Sequence, residues 1–511
     1  MILASSVNGG KADALVNLAG DLTVFVRQAV QKGAELDEVE RGVFARVLAM
    51  GRAAVDLFLA AQGDGDLGVS VTGAADVVLH RSATVVARPL RTIFGEHTLQ
   101  AYVYAPGSKK KIELRPIDAR LNLPEGKASY LLQEFTQLFC VEKAFRVGAR
   151  QFETVFGQRL SVDVLEDINR ALGEQADRFL EQLPTPPPDE EDAILVATAD
   201  GKGVPLVKPD AQKVPAFDQK ERPGNRRMAT LGCVYSVASY VRTPEQIVAA
   251  LFRDDSVPQP PERPEPCYKR YRAYFAEAGA AGEPTVPSAY PTWAWIAQEV
   301  QARHQSGQPL VRLMDGQPSL WEAAAACLEE FIGDRKEARQ PPQVVDILDI
   351  IHVSGYVWKA AKAFYAHQEQ QEAFAQERLL RILHGDVTGV ITGMRRMAGQ
   401  RDLKGAALKA VTTTCNYFET NAERMRYDEY LRAGYPIASG VIEGACRHII
   451  KDRMEQGGMR WTLAGAWAML NVRSVLASTE SENFSRWRPA AEAKRVHPHR
   501  EFVANPTGFK A

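Results

Sequence analysis

Residues 193 to 443 run through short apolar segments and helical segments in one order, and that order limits the available folds more than any single motif. Ala193-Ile-Leu-Val-Ala-Thr-Ala-Asp200-Gly-Lys-Gly-Val204 predicts a buried strand ending in an acid and a glycine-rich turn. Gly201-Lys202-Gly203 reads as a chain reversal into residues 204–207, because the GxxxxGK[ST] pattern of a phosphate-binding loop is absent. Met228 to Val237 predicts a third strand. Thr243-Pro-Glu-Gln opens a helix, with Thr243 as N-cap and Pro244 at the first helical position. Pro309-Leu-Val-Arg-Leu-Met-Asp315-Gly is a second strand followed by an acid, and a helix follows from Ser319 to Phe331. Val344-Val-Asp346-Ile-Leu-Asp349-Ile-Ile-His352-Val predicts a further strand. From Tyr356 to Tyr430 the chain is helical and carries no strand pattern.

The next segment is Gly434-Tyr-Pro-Ile-Ala-Ser439-Gly-Val-Ile-Glu443-Gly-Ala-Cys-Arg447-His-Ile-Ile-Lys451-Asp-Arg453, with Gly-Gly-Met-Arg460-Trp461 close behind. It predicts a helix with Ser439 as N-cap and Val441, Ile442, Ala445, Ile449 and Ile450 facing inward. Arg447 and Lys451 follow Glu443 at i+4 and i+8, so the three are expected along one stripe. An ordinary helix with a solvated, salt-bridged face has the same pattern. An acid with cations one and two turns away, beside small residues, also suits a carboxylate that holds a metal next to a polyanion.

The order β-β-β-α-β-α-β-α is that of a ribonuclease H-like fold. The expected core is α/β, a mixed five-stranded sheet with helices, carrying a large helical insertion at 356–433. Asp200, Asp315 and Glu443 fall where that fold places metal ligands. Cleaving a phosphodiester needs a nucleophile and a stabilised leaving oxygen, and two divalent ions about 4 Å apart supply both. Acids at strand ends and at a helix start hold such ions on rigid elements. An Asp at a strand end is commonplace in turns, so each acid alone is weak evidence.

The segment around Glu443 resembles the glutamate helix of bacterial insertion-sequence transposases of the DDE type, in the group around the ISKra family. It resembles Mutator-like transposases more distantly. The resemblance spans about residues 80 to 475. It implies metal ligands at Asp200 in Thr198-Ala-Asp-Gly-Lys-Gly, at Asp315 in Leu313-Met-Asp-Gly and at Glu443 in Ser439-Gly-Val-Ile-Glu-Gly. It further implies two Mg²⁺ or Mn²⁺ ions per site, double-stranded DNA (element ends and target) as partner, and a homodimer or larger assembly. Asp346 to Val353 also matches a signature of the group. There Asp349 rivals Asp315, and His352 either touches substrate phosphate, orients an acid, or is a core histidine. A period-2 strand puts Asp349 among apolar neighbours. The expectation is therefore that Asp200, Asp315 and Glu443 converge within about 8 Å, with Asp349 farther out.

Outside this stretch the chain is less informative. Residues 1–80 predict a helical region built on Lys11–Lys32 and Leu36–Ala61. Residues 81–183 predict a DNA-binding region: a hairpin of 92–104 and 110–115 about Pro106-Gly-Ser, then helices at 131–147 and 162–183. Pro184-Thr-Pro-Pro-Pro-Asp-Glu-Glu-Asp192 is a stiff acidic linker. The core follows at 193–355 and 434–475, and a basic tail at 476–511. Candidate DNA contacts are Lys202, Arg447, Lys451, Arg453 and Arg460, with Lys269 and Arg270 in the cation–aromatic run Tyr268 to Tyr274. A net charge of −1 gives no general basic footprint, so the distribution of cations has to carry DNA binding. The six cysteines form no CxxC pair, which argues against a disulfide scaffold or zinc ribbon. No apolar run is long enough for a bilayer and the start lacks a basic signal region, so a cytoplasmic protein is expected. A nuclease that cuts without joining, and a DNA-binding protein without catalysis, are the rival functions.

Overall fold

The computed structural model describes residues 2–73, 76–216, 224–258, 262–277, 285–336 and 343–504. Residues 505–511 of the expected tail lie outside them. The chain divides into two compact units, Met1–Gln175 with Asn483–Ala511, and Ala176–Glu482. The division falls within the helix Val162–Glu181, ahead of the Pro-rich segment. Among the described residues no helix is long and apolar enough to cross a membrane.

In the first unit, helices Ile2–Lys32 and Leu36–Ala60 fold back on each other through Gly33, whose φ of 62° suits glycine. The hairpin here is Val86–Thr92 against Gly95–Ala101, turning at residues 93–94 rather than at Pro106-Gly-Ser. The run 92–104 is thus one arm and its turn. Tyr104–Ala105 pairs instead with His80–Arg81, and Leu114 makes only a single bridge to Tyr104. The basic C-terminal tail is corrected as well. Among its described residues is the helix Ser481–Val496, in which Arg488 is buried and donates to Gln133 Oε1 (2.8 Å). Arg495 pairs with Glu125 (2.9 Å) and Glu492 (2.8 Å). Phe484 and Ala493 are buried on the same helix, and the arginine stems are covered with them.

The second unit is an α/β unit around a five-stranded mixed sheet: β1 (Ile194–Pro205), β2 (Arg226–Val237), β3 (Cys267–Phe275), β4 (Leu310–Met314) and β5 (Val344–Leu348). The order is β5-β4-β1-β2-β3, with β1 central. β1 is antiparallel to β2 over its full length, from Ile194 opposite Val237 to Pro205 opposite Arg226. The expected reversal at Gly201-Lys-Gly does not occur. Neither glycine has positive φ, and β1 continues through them. A Cβ on Gly201 would meet Met228 Sδ at 2.8 Å, so the glycine serves close packing against the partner strand, not a turn. The cation–aromatic run Tyr268 to Tyr274 supplies the third strand.

Helix α1 (Pro244–Phe252) starts at Thr243 as expected, with a capping box to Gln246. Trp293, Ile296 and Val300 of α2 (Ala289–Arg303) and Leu320, Ala324 and Leu328 of α3 (Pro318–Lys336) pack into one core with Leu195, Ala197 and Val234 of the sheet. Gly232 makes this approach possible, because a Cβ there would meet Thr292 at 2.8 Å and Ile296 at 3.0 Å. The helical stretch after β5 comprises α4 (Ile350–Phe364), α5 (Gln368–Leu383), α6 (Val387–Gln400), α7 (Gly405–Thr420) and α8 (Tyr427–Ala433). Tyr427 and Tyr430 of α8 donate to the carbonyls of Leu348 (2.7 Å) and Asp346 (2.9 Å), which fastens the stretch to β5. The glutamate helix α9 (Gly440–Ala445) runs into a π-helical turn, Cys446–Lys451, and α10 (Leu463–Ala477) packs along β3.

Candidate metal centre

The acids come together through strand register. β1 and β4 are parallel, with Leu195 opposite Leu310 and Ala197 opposite Arg312. Counting on, Asp200 stands level with Asp315. β4 and β5 are parallel with Leu348 opposite Met314, and Asp349 N–H donates to Met314 O (2.9 Å). Asp349 is therefore level with both. The β1–β4 ladder ends at Ala197, and the strands part before the acids, as at the ligand crevice of open parallel sheets. Thr198 Oγ1 donates to Leu313 O (2.6 Å) just below the opening.

Asp315 Oδ1 accepts from Gln317 N (3.0 Å) in the turn that starts α3. Burial pushes its carboxyl above the usual range, while the charge of His352 pulls the other way and that of Asp200 adds to the rise. Gly316 N donates to Tyr417 Oη (3.1 Å), and a Cβ on Gly316 would collide with the Tyr417 ring. Tyr417 stacks on Tyr356 with centroids 3.9 Å apart. The helical stretch thus closes over Asp315 and fixes its turn.

The expected strand through His352 is corrected. β5 stops at Leu348, and Asp349 caps helix α4 by accepting from Ile351 N (2.9 Å). Asp349 is fully buried, and its other oxygen accepts from Ser439 Oγ (2.6 Å). Ser439 spends its hydroxyl on this bond and makes no cap bond to α9, contrary to expectation. His352 lies in the first turn of α4 with Nε2 3.2 Å from Glu443 Oε1. That contact raises the His352 pKa above its usual value and lowers that of Glu443.

Asp349, His352 and Glu443 each offer a ligand atom within 4.8 Å of the others, so this trio could hold a metal ion. Among the described residues it is the one such group. Asp349, expected farther out, thus stands beside Glu443, while Asp200 and Asp315 are outside this tight trio. The oxygens of Asp349 are already engaged by Ser439 and Ile351, so its first role is to hold the entry to the glutamate helix. Asp346 forms a two-bond pair with Arg312 (2.6 and 2.8 Å).

Lys202 Nζ is 3.4 Å from Asp200 Oδ2, and it also feels the charge of Glu443. It is the cation of the acid cluster, not a free phosphate contact. The predicted stripe is broken. Through the π turn, Arg447 swings to Asp452 (3.7 Å) and Lys451 is exposed. The largest influences on the Glu443 carboxyl are His352, burial, Lys202 and Asp349. Arg453 is fully buried with its guanidinium 4.6 Å from the Trp461 ring centroid, so it cannot reach DNA. Arg270 is buried between Glu299 (3.2 Å) and Glu480 (2.5 Å), and is likewise withdrawn from DNA contact. Lys269 is half-buried on β3, where its backbone pairs with Thr479. Arg460 is exposed. Cys446 Sγ–H donates to Asp200 O (3.6 Å) and ties the glutamate helix to β1. The sequence reading missed the Ser439–Asp349 bond. The two residues stand 90 positions apart, and nothing local in the sequence signals the bond.

The sequence matches no family model and no curated protein.

Proposed function

We propose that this chain is a DDE transposase with a ribonuclease H-like core, cutting phosphodiesters at the ends of its own DNA element and joining them to target DNA. The observation that carries the proposal is the level placement of Asp200 within central β1, Asp315 just past β4 and Asp349 just past β5, on three mutually parallel strands, with Glu443 on a helix packed on β1. The strand order, with β1 central, antiparallel to β2 and parallel to β4, agrees with that core.

The donor set suits a hard divalent cation. Asp315 is a carboxylate whose burial penalises its own charge, and a neighbouring cation relieves that penalty. Asp200, Asp315 and Glu443 would hold two Mg²⁺ or Mn²⁺ ions. When bound, such ions acidify a water and stabilise charge on the phosphate. The remaining residues have structural tasks. His352 orients Glu443, Asp349 fixes Ser439 at the mouth of the glutamate helix, and Tyr417 holds the Asp315 turn. Lys202 neutralises Asp200 and Glu443 before metal arrives. Joining two element ends to one target requires a homodimer or larger assembly.

The test uses DNA carrying the inverted repeats that flank the coding sequence. Asp200→Asn is expected to abolish cleavage while repeat binding persists. A folded Asp200→Asn protein with full cleavage refutes the assignment. Cleavage without strand joining on a pre-cut end converts the proposal to a nuclease.

A further inference from the structure

A second site lies in the same unit, behind the strap 434–438 that leads to the glutamate helix. A cavity of ≈ 100 Å³ is lined by Tyr235, Tyr240, Arg242, Arg263, Gly434 and Ile437, among others. It holds two arginines, and none of the described residues lining it is an acid. Arg242 is fixed in place: Nε donates to Tyr240 O (3.0 Å), Nη2 donates to Tyr435 O (2.5 Å), and the guanidinium lies 4.9 Å from the Tyr240 ring centroid. Burial pushes its pKa down to about 10, and the charge of Arg263 acts in the same direction. Arg242 stays charged at neutral pH.

Arg242 is half-buried in a cavity that no described carboxylate lines, and a partly buried charge in that state is costly, while Arg263 adds a second, exposed cation at the same cavity. An anion removes the cost. The volume is that of roughly three waters, enough for one tetrahedral oxyanion. Two guanidinium forks match the several oxygens of a phosphate better than the two of a carboxylate.

The rear wall explains why the place matters. Gly434 has φ 76°, and a Cβ there would collide with Ser239 Oγ and Tyr240 N, so the strap lies tight against the end of β2. Tyr240 N–H donates to Gly434 O (2.9 Å), and Ile350 N–H donates to Ile437 O (2.9 Å). Two residues after Ile437, Ser439 meets Asp349. An anion at Arg242 is therefore held against the segment that sets the position of Glu443.

We propose that Arg242 and Arg263 form an oxyanion site that takes a phosphate group, either free phosphate or a phosphate of bound DNA. The DNA source rests on the function proposed above; the free-phosphate source does not.

The experiment titrates inorganic phosphate into the full chain at constant ionic strength, with chloride as the balancing anion. It is repeated on Arg242→Gln and Arg263→Gln. Saturable binding that each variant weakens by about five-fold or more is expected, by the loss of one charge-assisted fork. A parallel arm measures duplex DNA affinity against salt. If the phosphate belongs to DNA, each variant lowers the slope of log K against log salt by about 0.9. Arg263 is exposed, so its variant keeps the test decisive if Arg242→Gln fails to fold. The site is overturned if phosphate binding is absent, or unchanged in the variants, and the DNA slope is also unchanged. If the wild type binds no duplex at all, the transposase reading fails, and the phosphate arm alone still decides this site.

Discussion

Ser439 Oγ donates to Asp349 Oδ2 over 2.6 Å, and this bond joins the mouth of the glutamate helix to the end of β5. Both residues are buried, and Asp349 also accepts from Ile351 N and Ser439 N. One carboxylate thus satisfies donors from two elements 90 residues apart. Burial raises the Asp349 pKa, and the Ser439 bond is the largest influence opposing it.

Asp349→Ala should therefore act on the fold. It strands the Ser439 hydroxyl and two backbone N–H groups, at a cost of about 2–4 kcal/mol. Glu443→Gln, at a side chain 37% exposed, should change stability little while removing metal-dependent activity. Urea unfolding of both variants separates the two roles. Equal destabilisation would mean that Glu443 too is structural.

Asp315 shares the burial-raised pKa but, among the described residues, accepts from Gln317 N alone where Asp349 holds three donors. Burial raises its folded pKa above 3.8, so the folded state is penalised as pH rises through the ordinary carboxylate range and Asp315 ionises. Asp315→Asn should raise the metal-free melting temperature by about 2 °C and abolish the further rise on adding Mg²⁺. A lower melting temperature in the variant would assign Asp315 to holding the turn through Gln317 instead.

Much of this arrangement was legible in the chain, for physical reasons that differ by residue. Asp200 and Asp315 end apolar runs, and a buried strand shows in sequence as such a run. Their mutual level follows once the runs are aligned. The end of β5 was not legible, because Ile350-Ile-His-Val is β-branched enough to continue a strand, and only the Asp349 cap turns it into a helix. The stripe of Glu443, Arg447 and Lys451 assumed 3.6 residues per turn, and the π turn at Cys446–Lys451 breaks that count. Arg270 and Arg453 looked like surface cations because their partners, Glu299, Glu480 and Trp461, are set by tertiary packing. Nor could local sequence show that β1 runs through Gly201 and Gly203, since the same dipeptides serve turns elsewhere.

The His352–Glu443 pair should be visible in a titration. The pair raises His352 above 6.5 and lowers Glu443 below 4.5. Stability from His352 is complete below 6.5 and lost as pH rises through its raised pKa. Stability from Glu443 is complete above 4.5 and lost as pH falls through its lowered pKa. The contact is thus strongest between those two limits. NMR of the His352 ring should give a titration midpoint above 6.5, returning toward 6.5 in Glu443→Gln. A midpoint unmoved by that substitution would show that the contact is not formed in solution.

Arg270 should behave as a structural cation. Its partners Glu299 and Glu480 have side chains only 14% and 10% exposed, so removing it takes the paired cation from Glu480 and leaves Glu299 with Arg303 at 3.7 Å. Arg270→Ala should destabilise the protein by about 3–5 kcal/mol in urea unfolding. Weakened DNA binding with unchanged stability would restore it to the DNA surface.

Lys202 offers the sharpest test of the acid cluster itself. Its ammonium lies 3.4 Å from Asp200 Oδ2 and feels Glu443, so it competes with a divalent ion for the same negative charge. Burial disfavours the ammonium, yet the neighbouring acids win and its pKa is raised. Its side chain is 42% exposed, so solvent screens part of that attraction and the competition is modest. Lys202→Ala should tighten Mn²⁺ binding by about three- to ten-fold, read by the electron paramagnetic resonance of free Mn²⁺. Arg447→Ala, at a residue turned to Asp452, should leave Mn²⁺ affinity unchanged. If Lys202→Ala weakens Mn²⁺ binding instead, Lys202 organises the acids rather than standing in for the ion. If Arg447→Ala changes it as much as Lys202→Ala, the field at the site is general and Lys202 has no special place in it.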